Sequence, residues 1–195
     1  MNVTATRSAA LVRPWADSGV GRAALVVGAS VFVAVCAHAS VPLPLTPVPI
    51  VLSDFAVVLV GLVLGPWLGF AALALYLLEG AAGLPVFSPF GLGGVAQLLG
   101  PTAGYLLAYP VIAAVAGGVR RLAQPMAGAF AASMLGATIA TAILLASGAS
   151  WLAVLHQLSP AMAWTLAIAP FLAGAAAKVF AAASMSTAAE ALRRK

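Results

Sequence analysis

Charge is what this chain has least of. Only 7% of its 195 residues are charged, while 64% are hydrophobic. A soluble domain carries roughly 25% charged residues, so a water-soluble fold is excluded by composition. Between Arg22 and Arg120 the only formal charges are Asp54 and Glu79, and between Arg121 and Glu190 the only one is Lys178. Cysteine is nearly absent as well. The single Cys36 rules out an internal disulfide and a cysteine-based zinc cluster, and in its apolar run it reads as a small core residue. The two histidines, His38 and His156, lie far apart, which gives little support to a metalloenzyme or a triad hydrolase. No G-x-x-x-x-G-K-[ST] phosphate loop occurs, so ATP hydrolysis by this chain is not expected, and neither H-E-x-x-H nor G-x-S-x-G is present. An intramembrane enzyme is therefore the weakest of the classes considered.

What is present is a series of long apolar runs. Each is suited to crossing ~30 Å of hydrocarbon with ~20 apolar residues. The runs predict an all-α polytopic membrane protein of six transmembrane helices. Residues 1–22 form a basic tail, 23–192 a single membrane domain, and 193–195 a basic C-terminus. The spans are expected at 23–40, 50–64, 67–82, 101–119, 124–147 and 170–192. The first has a second reading as a signal peptide, since Ala37-His38-Ala39 resembles a cleavage site. Against this, its basic lead is long and everything downstream is also apolar. Within it, Ala24 and Gly28, then Ser30 and Ala34, are four apart, a spacing that lets helices approach closely, either inside the bundle or against a separate membrane subunit. Leu-Gly-Pro-x-x-Gly occurs at 64–69 and 99–104 and reads as a helix-start signal, with no inverted repeat around it.

The basic residues Arg7, Arg13, Arg22, Arg120, Arg121, Arg193, Arg194 and Lys195 sit in tails and one predicted turn at 120–123. They read as topology determinants and not as a nucleic-acid surface. The positive-inside rule then places both termini in the cytoplasm. The three long loops, at 41–49, 83–100 and 148–169, fall together on the outer face. Four prolines between Pro42 and Pro49 make the first loop stiff and extended. The second, Gly83 to Gly100, is too rich in glycine and proline for a membrane helix and too apolar for a solvated loop. Irregular backbone of that kind survives at membrane depth only over or along a cavity. The third is read as a loop with a short interfacial helix. An elaborate outer face suggests capture from outside.

Charges inside a bilayer are expensive, so Asp54, Glu79 and Lys178 are the first candidates for a site. Lys178 lies about 12 Å down the last helix from Pro170, and Asp54 and Glu79 each lie about one turn from an outer loop. All three therefore reach one outward pocket. The plainer alternative is a structural ion pair of Lys178 with Glu79 or Asp54. Gln97 either bonds a ligand or caps a helix. Phe87, Phe90, Tyr105 and Trp164 either wall an apolar site or anchor the chain at the lipid interface.

Several blocks, in order, resemble a known family. Thr46-Pro-Val-Pro-Ile50 leads into the run Phe55 to Pro66. Tyr76-Leu-Leu-Glu-Gly80 runs into Gly83-Leu-Pro-Val-Phe87, followed by Leu99-Gly-Pro-Thr-Ala-Gly-Tyr105. Pro170-Phe-Leu-Ala-Gly174 precedes Lys178. Over roughly residues 40–180 these resemble the BioY family, the biotin-binding S components of energy-coupling factor (ECF) transporters. The resemblance implies a six-helix S-component fold in the cell membrane. It implies a high-affinity biotin site under the first and third outer loops, no cofactor and no enzymatic step. The implied partners are a transmembrane coupling subunit and cytoplasmic ABC-type ATPases. Lys178 matches the family lysine that contacts biotin, and Thr46, Gly93 and Gly94 match loop residues that border it. The family aspartate near this lysine is replaced by Ala175 within Ala173-Gly174-Ala175, and Ser53-Asp54 stands where the family commonly has glutamine followed by threonine or serine. Asp54 or Glu79 is the available substitute. The alternatives are an S component for a biotin precursor or another small vitamin, or a self-sufficient secondary transporter.

Overall fold

The computed structural model describes residues 18–194. Most of the predicted basic tail, including Arg7 and Arg13, lies outside the described residues, as does Lys195. Helix α1 spans Gly19–His38, with Ser18 as its N-cap accepting from the Gly21 amide at 3.0 Å. Two-residue strands β1 (Ser40–Val41) and β2 (Ile50–Val51) pair antiparallel. They clasp the base of the proline-rich loop, whose prolines exclude any longer ladder. Helix α2 spans Ser53–Ala81, one-turn helix α3 Gly94–Gln97, α4 Ala103–His156 and α5 Pro160–Ala167. A 3₁₀ turn over Ala169–Phe171 leads into α6, Leu172–Arg194. Among the described residues four helical stretches are long and apolar enough to cross a membrane: Gly19–His38, Ser53–Ala81, Ala103–His156 and Pro160–Arg193.

Two of these stretches reverse internally. Gly65 in α2 has φ 81° and Gly128 in α4 has φ 78°, backbone that only glycine adopts without strain. The break at Gly65-Pro66 falls where the sequence predicts it. The second does not. The helix runs through Arg120-Arg121, past the predicted turn at 120–123, and breaks at Gly128. The reason is that Arg120 is anchored inside the bundle and is not a loop residue. Pro66 has no N–H, so the Leu62 carbonyl one turn earlier loses its helical donor. The Arg120 guanidinium donates to that carbonyl and, through Nη2, to Glu190 at 2.6 Å. Gln124 donates to both Glu190 oxygens at 2.9 and 3.0 Å. One charged clasp thus joins α2, α4 and α6. At the other end α4 continues to His156, beyond the predicted limit near 147, and closes on Gln157 in the left-handed conformation (φ 51°). The short helix expected in this region is α5. Pro110 sits within α4 at helical dihedral angles.

The core lies between α2 and α4, with α1 and α6 packed on either side. Small residues set the spacing. A Cβ on Gly61 would stand 2.2 Å from the Ala113 carbonyl oxygen, and one on Gly136 would stand 2.5 Å from that of Ala116. Backbones this close fit the expectation of small-residue packing in the second arm of α4. There Ala132, Gly136 and Ala140 recur every fourth residue and all are buried. Ser133 and Ser186 satisfy each other across the α4–α6 contact at 3.1 Å.

Candidate functional site

At the end of the bundle away from the clasp, residues from α1, α2, α4 and the first two loops build one cavity. Its walls come from Ala37 of α1, Val48 and Pro49 of the first loop, Val51 of β2, Ser53 and Asp54 opening α2, and Tyr76 near the end of α2. Ser88, Gln97 and Thr102 come from the glycine-rich loop, Tyr105, Leu106, Tyr109 and Leu145 from α4, and Phe171 from the 3₁₀ turn. The first and second of the loops predicted to share one face meet at this cavity, while the third, 148–169, supplies no lining residue, so the site lies under the first and second loops and not the first and third.

Asp54 is the charged group facing this space. Its Oδ1 accepts from the Tyr109 hydroxyl at 3.0 Å and its Oδ2 from Lys178 Nζ at 3.1 Å. Ser53 Oγ lies 2.9 Å from the same Tyr109 oxygen. With the Tyr109 proton directed at the carboxylate, Ser53 donates to Tyr109, completing a chain of Ser53, Tyr109, Asp54 and Lys178. The lysine also donates to the Val51 carbonyl at 2.6 Å, which ties α6 to β2. The two charged side chains keep 20% and 25% of their surface exposed, so the pair is reached from outside and is not sealed. Lys178 does not line the main cavity. It lines an adjoining cleft with Ala175, Phe55 and Thr141, and Asp54 borders both spaces.

Aromatic rings build the rest. Tyr76 stacks on Tyr109 with centroids 6.1 Å apart and meets Phe87 edge-on at 5.4 Å. Gly80 makes room for this, since a Cβ there would stand 2.0 Å from the Phe87 ring. Tyr105 donates its hydroxyl to the Ala167 carbonyl at 2.7 Å, and its ring lies against Gly148. Gln97 is 4% exposed and its Oε1 accepts from the Gly93 amide at 3.1 Å. It packs so closely on Gly91 that a Cβ there would stand 1.9 Å from Oε1. Gly93 and Gly94, at φ 69° and 58°, turn the loop over this amide. Ser88 donates to Ser40 at 3.1 Å and Trp151 to the Gly100 carbonyl at 2.9 Å, so the loop is pinned at both ends.

The structure thus brings together Asp54, Gln97 and Tyr105 at the cavity, with Lys178 directly behind Asp54. Three expectations are corrected. Glu79 is not at the cavity: its carboxylate takes a hydrogen bond from the buried Ser30 of α1, and its helix turn points that way. Phe87 lies behind Tyr76 and forms no part of the cavity wall. Phe90 and Trp164 are 57% and 54% exposed, and neither walls the cavity. Thr46 is buried but spends its Oγ1 on the Val48 amide at 3.3 Å, shaping the loop. Gly93 and Gly94 shape the cover and do not themselves line the space. Sequence reading missed Ser53, Tyr76 and Tyr109. The spacing Ser53-Asp54 gave a hint, but tyrosines within apolar runs read as core.

The sequence model of the BioY family matches residues 6–195. The chain belongs to the BioY family. Its relatives include Biotin transporter BioY2 of Lactococcus lactis, 34% identical over 148 residues that span 75% of this chain and 77% of that protein. Biotin transporter BioY of Thermotoga maritima is 42% identical over 54% of this chain and 56% of its own length. Probable biotin transporter BioY of Pyrococcus horikoshii is 48% identical over 40% of this chain and 48% of its own. The last two matches span about half the length of each relative. The crystal structure of the S-component for biotin from an ECF-type ABC transporter superposes with a TM-score of 0.79, covering 90% of this chain and 92% of that one. At 21% identity this establishes a shared fold. This BioY-family chain is therefore an all-helical, multi-pass membrane protein with the S-component fold.

Proposed function

We propose that this chain is the biotin-binding subunit of a vitamin uptake transporter, with the cavity above Asp54 as its binding site. The observation that carries this reading is one cavity that combines an acid, hydroxyls, a buried amide and aromatic walls. Biotin offers two ring N–H donors and a carbonyl, an apolar body and a carboxylate tail. Asp54, Tyr109 and Gln97 match its polar groups, and Tyr76, Tyr105 and Phe171 its apolar ones. Lys178 holds the Asp54 carboxylate in place. Asp54 thereby supplies from α2 the acid that the family pattern places on the last helix, where Ala175 stands here. Capture requires no covalent step.

Each long helix broken at glycine counts as two spans, which gives six in all, with both termini in the cytoplasm and the cavity facing outward. Release inward requires partners: a transmembrane coupling subunit and cytoplasmic ABC-type ATPases. The exposed small residues Ala24 and Gly28 on α1 support the first of these, since among the described residues a Cβ on Gly28 would meet nothing within 4 Å. A self-sufficient transporter is the competing reading, and uptake by vesicles containing this chain alone without ATP would favour it.

Calorimetry on the purified protein in detergent tests the proposal, with desthiobiotin and thiamine as comparators. Saturable one-to-one biotin binding, abolished by Lys178→Ala in a protein that still folds, is the expected result. Folded protein that binds thiamine or a biotin precursor and not biotin would overturn the assignment of the ligand.

A further inference from the structure

A second concavity lies at the clasp end of the bundle. It is lined by Arg22 of α1, the α2 turn from Leu62 to Leu68, and Gly117, Arg120, Arg121 and Gln124 of α4. Ser53 and Tyr76, which border the biotin cavity, are 12 and 11 residues from Gly65 along the two arms of α2. At 1.5 Å per residue the two sites are roughly 16–18 Å apart, at opposite ends of the membrane domain.

The charge of this cleft is unbalanced. Of the three acids among the described residues, Asp54 and Glu79 belong to the other end and Glu190 is held by Arg120 and Gln124, while Asp17 lies outside the described residues. Among the described residues no carboxylate pairs with Arg22 or Arg121. Both arginines are exposed, and Arg120 Nε is buried without a hydrogen-bond partner. Of the apolar side chains that line the cleft, Trp67 stands out at 82% exposed and forms the rim. Water would penalise such a rim, whereas the boundary between headgroups and acyl chains suits it, with tryptophan as its usual anchor. Topology signalling alone requires only that arginines be present near a helix end. It does not require a recess between helices, nor an apolar border on it.

We propose that this cleft binds the phosphate of an anionic phospholipid, with Arg22 and Arg121 on the headgroup and Trp67 along its acyl chains. Guanidinium groups pair with phosphate oxygens in a fixed fork, and partial exclusion of water strengthens each contact. The lipid would fill the gap between α1 and the α2–α4 turn, a place where the described residues supply no free counter-charge.

The test is native mass spectrometry of the detergent-purified full chain, titrated with palmitoyl-oleoyl phosphatidylglycerol. Parallel arms use the phosphatidylcholine of the same chains, inorganic phosphate, and a short polyglutamate peptide. The expected result is retention of phosphatidylglycerol over phosphatidylcholine. In Arg22→Gln/Arg121→Gln that retention should weaken about thirty-fold, from two arginines each as strong as a basic residue beside an anionic bilayer surface. Circular dichroism of the variant shows that its helices are intact, and the single variants give intermediate losses. Equal retention of the two lipids, or unchanged retention by a folded double variant, would overturn the proposal. Displacement by inorganic phosphate at equal concentration would reassign the site to a free anion, and displacement by polyglutamate to an acidic protein segment.

Discussion

At the residue scale the decisive group is Asp54. An acid in a membrane segment needs a partner, and two were available in the sequence reading of Lys178, which paired it with Asp54 or Glu79. Geometry selects Asp54, with Tyr109 on its second oxygen. Losing one partner of such a pair strands the other charge. The pair here is partly exposed, so the effect falls between that of a surface pair and that of a sealed one. Lys178→Met should destabilise the protein by about 2 kcal/mol, and Asp54→Asn/Lys178→Met should recover most of that loss. Thermal unfolding in detergent followed by circular dichroism measures both, and a double variant no more stable than the single one would contradict the pairing. Tyr109→Phe removes a donor to Asp54 and the acceptor for Ser53. It should weaken biotin binding by about tenfold, the equivalent of one charge-assisted hydrogen bond, as read by calorimetry.

At the scale of elements, close helix contacts through glycine hold the arms together. A Cβ on Gly117 would stand 2.4 Å from the Gly61 carbonyl oxygen, and neither backbone can yield as a flexible side chain would. Gly118, the next residue, has nothing within 4 Å of its would-be Cβ. Gly117→Ala should therefore destabilise by about 1–3 kcal/mol through overpacking. Gly118→Ala should be neutral or stabilise by up to about 1 kcal/mol through helix propensity. The two unfolding midpoints, measured side by side, check the contact. The reversals depend on glycine for a different reason. Gly65 and Gly128 have open space around them but positive φ, so alanine there is strained by the backbone and not by a neighbour.

At the scale of the whole molecule the two ends differ in kind. One end gathers the first two loops over a cavity bordered by the Asp54–Lys178 pair. The other is drawn together by Arg120, the Leu62 carbonyl left free by Pro66, and Glu190. The clasp spans α2, α4 and α6, so Arg120→Gln should loosen the bundle without reaching the cavity. Its expected mark is a lowered unfolding midpoint with unchanged biotin affinity, read by circular dichroism and calorimetry on the same preparation. The proposed orientation has its own check. In a Cys36→Ser background, a cysteine placed at position 195 should resist a membrane-impermeant thiol reagent in intact cells. One placed at the exposed Leu45 of the first loop should react.

Much of this was legible in the sequence because it follows from composition and backbone chemistry. The scarcity of charge dictates a membrane fold, the proline run dictates a stiff first loop, and Gly65-Pro66 dictates a reversal. The order of short blocks indicated the BioY family, and the rarity of intramembrane charge singled out Asp54 and Lys178. Other features depended on contacts between distant segments. That Glu79 turns toward Ser30, that Phe87 backs Tyr76, and that Tyr109 joins Ser53 to Asp54 all follow from how α1, α2 and α4 are rotated against each other. Helical periodicity cannot fix that rotation when nearly every face is apolar. The second reversal was misplaced for the same reason. An arginine pair reads as the end of a span until packing supplies a carbonyl and a glutamate to receive Arg120, and the chain then continues to the next glycine that can turn it.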